Sequence, residues 1–133
     1  MRRYGNVLGL LLAALGAKVT SVEINPRLAA MARQNLDRAG LREVTLAIGD
    51  GARGWGRGDY DAIVLTGSTP RLDDAFLRQL KPGGRVFAVV GDAPVMTARI
   101  IRWVGAGSFT TTDRFETVIA PLHNAAAPAR FAL

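Results

Sequence analysis

The 133-residue sequence predicts an α/β fold, a doubly wound and mostly parallel sheet that ends in an antiparallel hairpin. Three observations carry this expectation. Short β-branched runs alternate with segments of helical period as far as residue 91. Glycine or proline punctuates nearly every junction. Beyond residue 94, two β-rich runs are separated only by Gly105–Ala106–Gly107.

The elements follow in order. Residues 7–15, VLGLLLAAL, read as a buried helix ended by Gly16, far too short to cross a bilayer. Arg2 and Arg3 before it imitate the start of a signal peptide, but the run passes into GAKVTSVE without a convincing cleavage site. Residues 18–24, KVTSVEI, read as a strand rich in β-branched residues. Pro26 fits the first turn of a helix with Leu28, Met31, Ala32, Asn35 and Leu36 on one face, closed by Gly40. Residues 43–48 are a second strand, running into the glycine-rich loop GDGARGWGRG. Residues 60–66, YDAIVLT, are a third strand, broken by GSTP. Residues 71–80 are a short helix with Leu72, Ala75, Phe76 and Leu80 inward. KPGG is a turn, and residues 85–91 are a fourth strand. Residues 95–104 and 108–119 make the hairpin, in which Trp103 and Phe109 flank the turn and pack together. Arg99 and Arg102, three apart on a strand, take opposite faces. The tail from Ala120 is extended and draped on the surface. No linker or repeat divides the chain, so residues 1–133 read as a single domain.

Composition narrows the chemistry. Hydrophobic residues make up 49% of the chain, which is globular rather than disordered usage. With no cysteine, a disulfide framework and thiolate metal sites are excluded, and the single histidine, His123, rules out a multi-histidine site within one chain. The formal charge of +6 is carried mainly by arginines scattered along the chain, which reads as GC-rich coding rather than a nucleic-acid surface. Nothing marks the chain for a membrane or for export, so the cytoplasm is the default compartment.

Ligands of doubly wound sheets sit at the carboxyl ends of the strands. Three polar signals fall there: Glu23, Asp50–Gly51 and Thr66–Gly67–Ser68. Glu23 either caps the helix after Pro26 or accepts hydrogen bonds from ribose hydroxyls; Asp50 is either a turn residue or an acceptor for an exocyclic amine such as adenine's. Trp55 either anchors its loop or stacks on the same ring. Taken together, at successive strand ends, the signals favour a nucleoside site.

The stretches GAKVTSVEINPRLAAMARQNLDRAGL, VTLAIGDGARGW, YDAIVLTGSTP, LRQLKPGGRVFAVVG and FETVIAPL resemble a protein-L-isoaspartate O-methyltransferase, and the run APVMTARIIRWV…FETVIAPLHNAAAPARF resembles its proteobacterial branch. The resemblance covers nearly all of residues 8–133. It implies the Rossmann-like fold of S-adenosylmethionine-dependent methyltransferases, with S-adenosylmethionine as cofactor and S-adenosylhomocysteine as product. Glu23 would hold the ribose, with Ile24 beside it in the cofactor site; Asp50 and Gly51 would face the adenine; Thr66 and Gly67 would line the cofactor cleft. The implied reaction methylates the free α-carboxylate of L-isoaspartyl residues in damaged proteins, and the ester then closes to a succinimide. Such transfer needs alignment of carboxylate, methyl and sulfur more than acid–base groups, and no catalytic residue and no metal ligand is assigned.

The resemblance also sets an expectation about the start of the chain. The family's first strand, its glycine-rich turn of the type EIGTGSGY and its substrate segment precede the helix matched by residues 10–17, and here only MRRYGNVLG stands before it. That predicts a truncated, weakly active or inactive chain, or a short form pairing its open sheet edge with another copy. The other readings are a non-catalytic module binding an adenosine cofactor or a partner, and a methyltransferase of the same fold acting on another substrate.

Overall fold

The computed structural model describes residues 18–41 and 43–122. The helix expected over 7–15 and His123 lie outside the described residues. The chain divides into two compact units between Gly51 and Ala52.

The first unit holds a parallel β–α–β arrangement. Strand β1 (Thr20–Glu23) pairs with β2 (Thr45–Ile48), with Thr20 opposite Thr45 and Glu23 opposite Ile48. Between them runs helix α1 (Pro26–Arg38), whose start is written in its sequence. Asn25 is the N-cap, its Oδ1 accepting from Arg27 N at 2.9 Å and Leu28 N at 3.4 Å, and Pro26 follows in the first turn, where the missing N–H costs nothing. The helix ends as expected at Gly40, which takes a left-handed φ of 75° while Leu41 N donates to Leu36 O at 2.9 Å.

The buried stripe of α1 is rotated from the expected one. Ala29, Ala32 and Leu36 are buried, whereas Met31 is 54% exposed and Asn35 is exposed. Arg33 accounts for the rotation. Its guanidinium lies toward the sheet side, donating to Val44 O at 2.7 Å and Leu41 O at 3.2 Å, and it pairs with Asp37 at 2.9 Å. A charged side chain is placed on the inner half of the helix because it satisfies carbonyls of the loop leading into β2.

The second unit is a mixed sheet in the order β3–β4–β5–β6: β3 (Tyr60–Thr69), β4 (Leu80–Asp92), β5 (Val95–Gly105) and β6 (Ser108–Glu116). Strands β3 and β4 are parallel, and β4–β5 and β5–β6 are antiparallel. The expected hairpin is present, and Trp103 lies opposite Phe109 with ring centroids 6.2 Å apart. Arg99 and Arg102 do face opposite ways. Arg99 is half-buried and pairs with Asp113 at 3.1 Å, and Arg102 is exposed. The outermost strand, β6, is exposed throughout, and Arg114 is an extra residue bulged out of its ladder with β5. Such a bulge, with Asp113 and Glu116 beside it, discourages further edge pairing.

Three expected boundaries move. GSTP does not end the third strand. β3 continues to Thr69 across an irregularity between Val64 and Ser68, because Ser68 finds backbone partners in a distant segment. KPGG is not a free turn but a wide bulge inside β4, where Leu80 pairs with Tyr60 and Arg85 with Ala62. The second helix, α2, is only Asp74–Arg78. Asp73 caps it through Ala75 N at 2.9 Å, and strand pairing takes over when Tyr60 N donates to Gln79 O at 2.9 Å.

Alternation along β4 gives the sheet two apolar faces. Val86 and Ala88 join Leu65, Leu80 and Phe76 of α2, with Leu72, Trp103 and Leu122 around them. Val89 joins Met96 and Ala98 on the other face, with Phe87 and Ile119 packed against them. Fully burying one such side chain contributes about 1.5–3 kcal/mol, so these two clusters supply much of what holds the second unit together. No helix among the described residues is long and apolar enough to cross a membrane.

Candidate functional site

Glu23 is the last residue of β1, and its neighbour across the sheet, Ile48, is the last of β2. The ladder continues one step, since Gly49 N donates to Glu23 O at 3.0 Å. Glu23, Ile24, Asp50 and Gly51 therefore stand at one end of the two-stranded sheet, the carboxyl end of both strands. That is the arrangement expected from the spacing of the two acids.

Glu23 is half-buried, and its Oε1 accepts from Asn25 N at 3.1 Å. It does not cap α1; Asn25 does. Among the described residues the carboxylate is oriented by one backbone donor, and an ionised carboxylate has roughly four acceptor positions, which is capacity enough to take both hydroxyls of a diol as well. Ile24 and Ile48 are 38% and 56% exposed, so apolar surface flanks the acid. A side chain at Gly51 would touch Val22 Cγ1 at 3.5 Å, an ordinary contact, so the neighbours of Gly51 do not themselves demand glycine.

Thr66 and Gly67 belong to the second unit, on β3. Thr66 is exposed between buried Leu65 and buried Gly67. Gly67 is needed where it is, because a Cβ there would lie 2.8 Å from Leu122 Cδ2 and 3.0 Å from Leu122 Cγ and N. Among the described residues no group of three or more His, Asp or Glu side chains is placed to hold a metal.

Sequence reasoning missed Gln79. Its side-chain amide pairs with the glycine-rich loop as a backbone strand would. Oε1 accepts from Trp55 N at 2.9 Å, and Nε2 donates to Trp55 O and Gly56 O, each at 3.0 Å. Only one orientation of the amide satisfies all three partners. The Tyr60 hydroxyl also donates to Trp55 O, at 2.8 Å. The glycines follow from this clasp. A Cβ at Gly54 would strike the Gln79 amide, and one at Gly58 would meet Gln79 Cα at 3.2 Å, both at strongly positive φ. The loop is glycine-rich because it wraps a glutamine, and the backbone of Trp55 is its anchor point. Gln79→Ala is expected to lower stability by about 2 kcal/mol, at roughly 1 kcal/mol per lost hydrogen bond with partial replacement by water. Amide exchange at Trp55 should accelerate by a similar factor, and exchange as slow as in the unaltered chain would refute the clasp.

The sequence matches the profile of the family described as Protein-L-isoaspartate(D-aspartate) O-methyltransferase (PCMT) over residues 7–126. The protein-L-isoaspartate O-methyltransferase of Methanoculleus marisnigri is 46% identical over 82 residues, 61% of this chain and 37% of that protein. Protein-L-isoaspartate O-methyltransferase 1 of an Anaeromyxobacter species is 39% identical over 120 residues, 86% of this chain and 56% of that one. The chain thus spans between about a third and just over half of the length of these relatives. Among solved structures, a protein-L-isoaspartate O-methyltransferase superposes with a TM-score of 0.69 at 25% identity, over 77% of this chain and 33% of that one. A Plasmodium falciparum structure of the same description, in complex with S-adenosyl-L-homocysteine, gives 0.68 at 14% identity over 84% and 55%, a likeness of fold alone. The fold is the Rossmann-like α/β fold of these methyltransferases, and the chain belongs to the protein-L-isoaspartate O-methyltransferase family.

Proposed function

We propose that this chain, read as one methyltransferase domain, carries the cofactor-binding part of a protein-L-isoaspartate O-methyltransferase, with Glu23, Ile24, Asp50 and Gly51 of the first unit and, each taken by itself, Thr66 and Gly67 of the second assigned to S-adenosylmethionine. The observation that carries the reading is the placement of Glu23 and Asp50 at the same carboxyl end of a parallel β–α–β unit, with Glu23 oriented by the backbone N–H of Asn25. Acids at successive strand ends are what a nucleoside presents work for: a ribose diol donates two hydrogen bonds and an adenine amine donates another. The exposed apolar surface of Ile24 and Ile48 suits the faces of the base.

The residues fit the cofactor, and their part in the reaction is binding and orientation. Glu23 would hold the ribose, Asp50 would accept from the exocyclic amine, and Ile24 and Gly51 would border the ring. The sulfonium, when bound, supplies an activated methyl group with its own leaving group. The acceptor is the free α-carboxylate of an L-isoaspartyl residue in a damaged protein or peptide, and the compartment is the cytoplasm. The terminal run from Ala93 to Phe131 supports placement in the proteobacterial branch of the family.

Isothermal titration of the purified chain with S-adenosylhomocysteine tests the reading, with a thermal melt on the same sample. Saturable heat from a cooperatively melting chain supports it. Absence of heat at millimolar ligand, in a chain that melts cooperatively, refutes it.

A further inference from the structure

Beyond β6 the chain crosses back as a strap over residues 117–122. Thr117 N donates to Met96 O at 3.2 Å, and Ile119 packs on Val89, Met96 and Ala98. The strap then grips β3 at Ser68, which is 1% exposed. Ser68 N donates to Ala120 O at 2.9 Å, Leu122 N donates to Ser68 O at 2.8 Å, and Ser68 Oγ donates to Ile119 O at 3.1 Å. Every polar group of Ser68 thus has a partner in the strap. Leu122 sits over Gly67 and reaches the cluster of Leu65, Phe76, Val86 and Ala88.

The grip falls at an irregularity of β3. Val64 pairs with Phe87 and Ser68 with Val89, so Leu65, Thr66 and Gly67 stand opposite Ala88 alone. The surplus backbone must leave the plane of the sheet. Leu65 and Gly67 are drawn inward and Thr66 is turned out to solvent. The bulge is held on one side by the β3–β4 ladder and on the other by the strap. Released from the strap, Gly67 and Ser68 would lose three hydrogen bonds and the leucine that covers them.

We propose that the strap is the positioning device of the carboxyl end of β3: Ser68 and Leu122, which touch no cofactor themselves, lock the bulge that presents Thr66, and thereby set the affinity of that strand end for the adenosyl cofactor. The proposal rests on the cofactor reading above. It makes two demands that a merely structural strap does not. Loosening the strap must change ligand affinity, and a side chain of equal volume at 122 must restore it.

The test uses the whole 133-residue chain. S-adenosylhomocysteine is titrated into the unaltered chain and into Ser68→Ala, Leu122→Ala and Leu122→Met, and amide exchange is followed over residues 64–69. Leu122→Ala is expected to raise Kd by about fivefold or more, the equivalent of roughly 1 kcal/mol, and to speed exchange at Gly67 and Ser68. Ser68→Ala, which keeps the packing and removes one hydroxyl, should shift both in the same direction by a smaller factor. Leu122→Met should restore both, since volume-conserving exchanges are tolerated best. Faster exchange at Ser68 with an unchanged Kd in both alanine variants, beside an unaltered chain that binds, overturns the proposal and leaves the cofactor reading standing. An unaltered chain that melts cooperatively but does not bind overturns both. Should Leu122→Ala fail to fold, Ser68→Ala decides, because it leaves the core cluster intact.

Discussion

Gly91→Ala is expected to destabilise the second unit by about 2–5 kcal/mol, combining backbone strain with an overpacked contact. Gly91 lies in β4 opposite Met96, one pair from the turn, with φ at 129°, where an L side chain is strained. A Cβ there would run into the carbonyl oxygen of Val95 and lie 3.2 Å from Met96 Cα. Both obstacles are backbone. They cannot step aside, because Val90–Thr97 and Asp92–Val95 pair on either side. Opening this end of the hairpin would withdraw Met96 from Val89 and Ala98 and loosen the anchor of the strap at Met96 O. Gly105→Ala is the control. Its φ is 126°, almost the same, yet nothing lies within 4 Å of the added carbon. Urea unfolding should show Gly105→Ala losing about 1–2 kcal/mol and Gly91→Ala losing clearly more. Equal losses would mean that the dihedral alone matters and the contact with Val95 does not.

What the sequence disclosed follows the range of the forces involved. Pro26 and Gly40 bracket α1 because helix-end signals are local, settled within a few residues, although the cap itself is Asn25 and not the Glu23 that the sequence also offered. The hairpin was equally legible: two β-rich runs and a glycine turn fix their own pairing, and Trp103 meets Phe109 as a consequence. The boundaries that moved are those set by distant partners. GSTP looks like a strand end, but Ser68 is kept in the sheet by Ala120 and Leu122, some fifty residues away. KPGG looks like a turn, but Gly84 is packed so closely that a Cβ would lie 2.8 Å from Lys81 O and 3.0 Å from Tyr60 O, which makes it a bulge within a ladder.

The candidate site divides in the same way. Glu23 and Asp50 could be paired in advance because parallel strands joined by one helix put their carboxyl ends side by side. The part played by the glycine-rich loop could not, since its partner Gln79 lies beyond a whole strand and helix, and glycine spacing carries no mark of what it wraps. The same is true of α1, where periodicity gives the existence of an inner face, and a contact from Arg33 to the loop before β2 decides its rotation.

Glu23→Ala is expected to weaken binding of S-adenosylhomocysteine by about a hundredfold or more while lowering the melt by only a few degrees. The two effects separate because the carboxylate makes few commitments to the fold. Among the described residues its side chain accepts one hydrogen bond, from Asn25 N, whereas the capping of α1 is carried by Asn25 Oδ1 and the ladder by the backbone of Glu23. Losing one part-buried bond costs about 1 kcal/mol. Losing a charged acceptor that takes two ribose hydroxyls costs roughly 1.5–3 kcal/mol for each, a fall in affinity of about a hundredfold or more. Glu23→Gln sharpens the test. The amide oxygen can still accept from Asn25 N, so the orientation survives, but the charge is gone and one acceptor has become a donor. Its affinity should fall between those of the unaltered chain and Glu23→Ala. If Glu23→Ala bound S-adenosylhomocysteine as the unaltered chain does, Glu23 would be no more than an acceptor for Asn25 N, and the cofactor site would have to be sought elsewhere. If Glu23→Gln bound as tightly as the unaltered chain, the acid would serve by shape and not by charge.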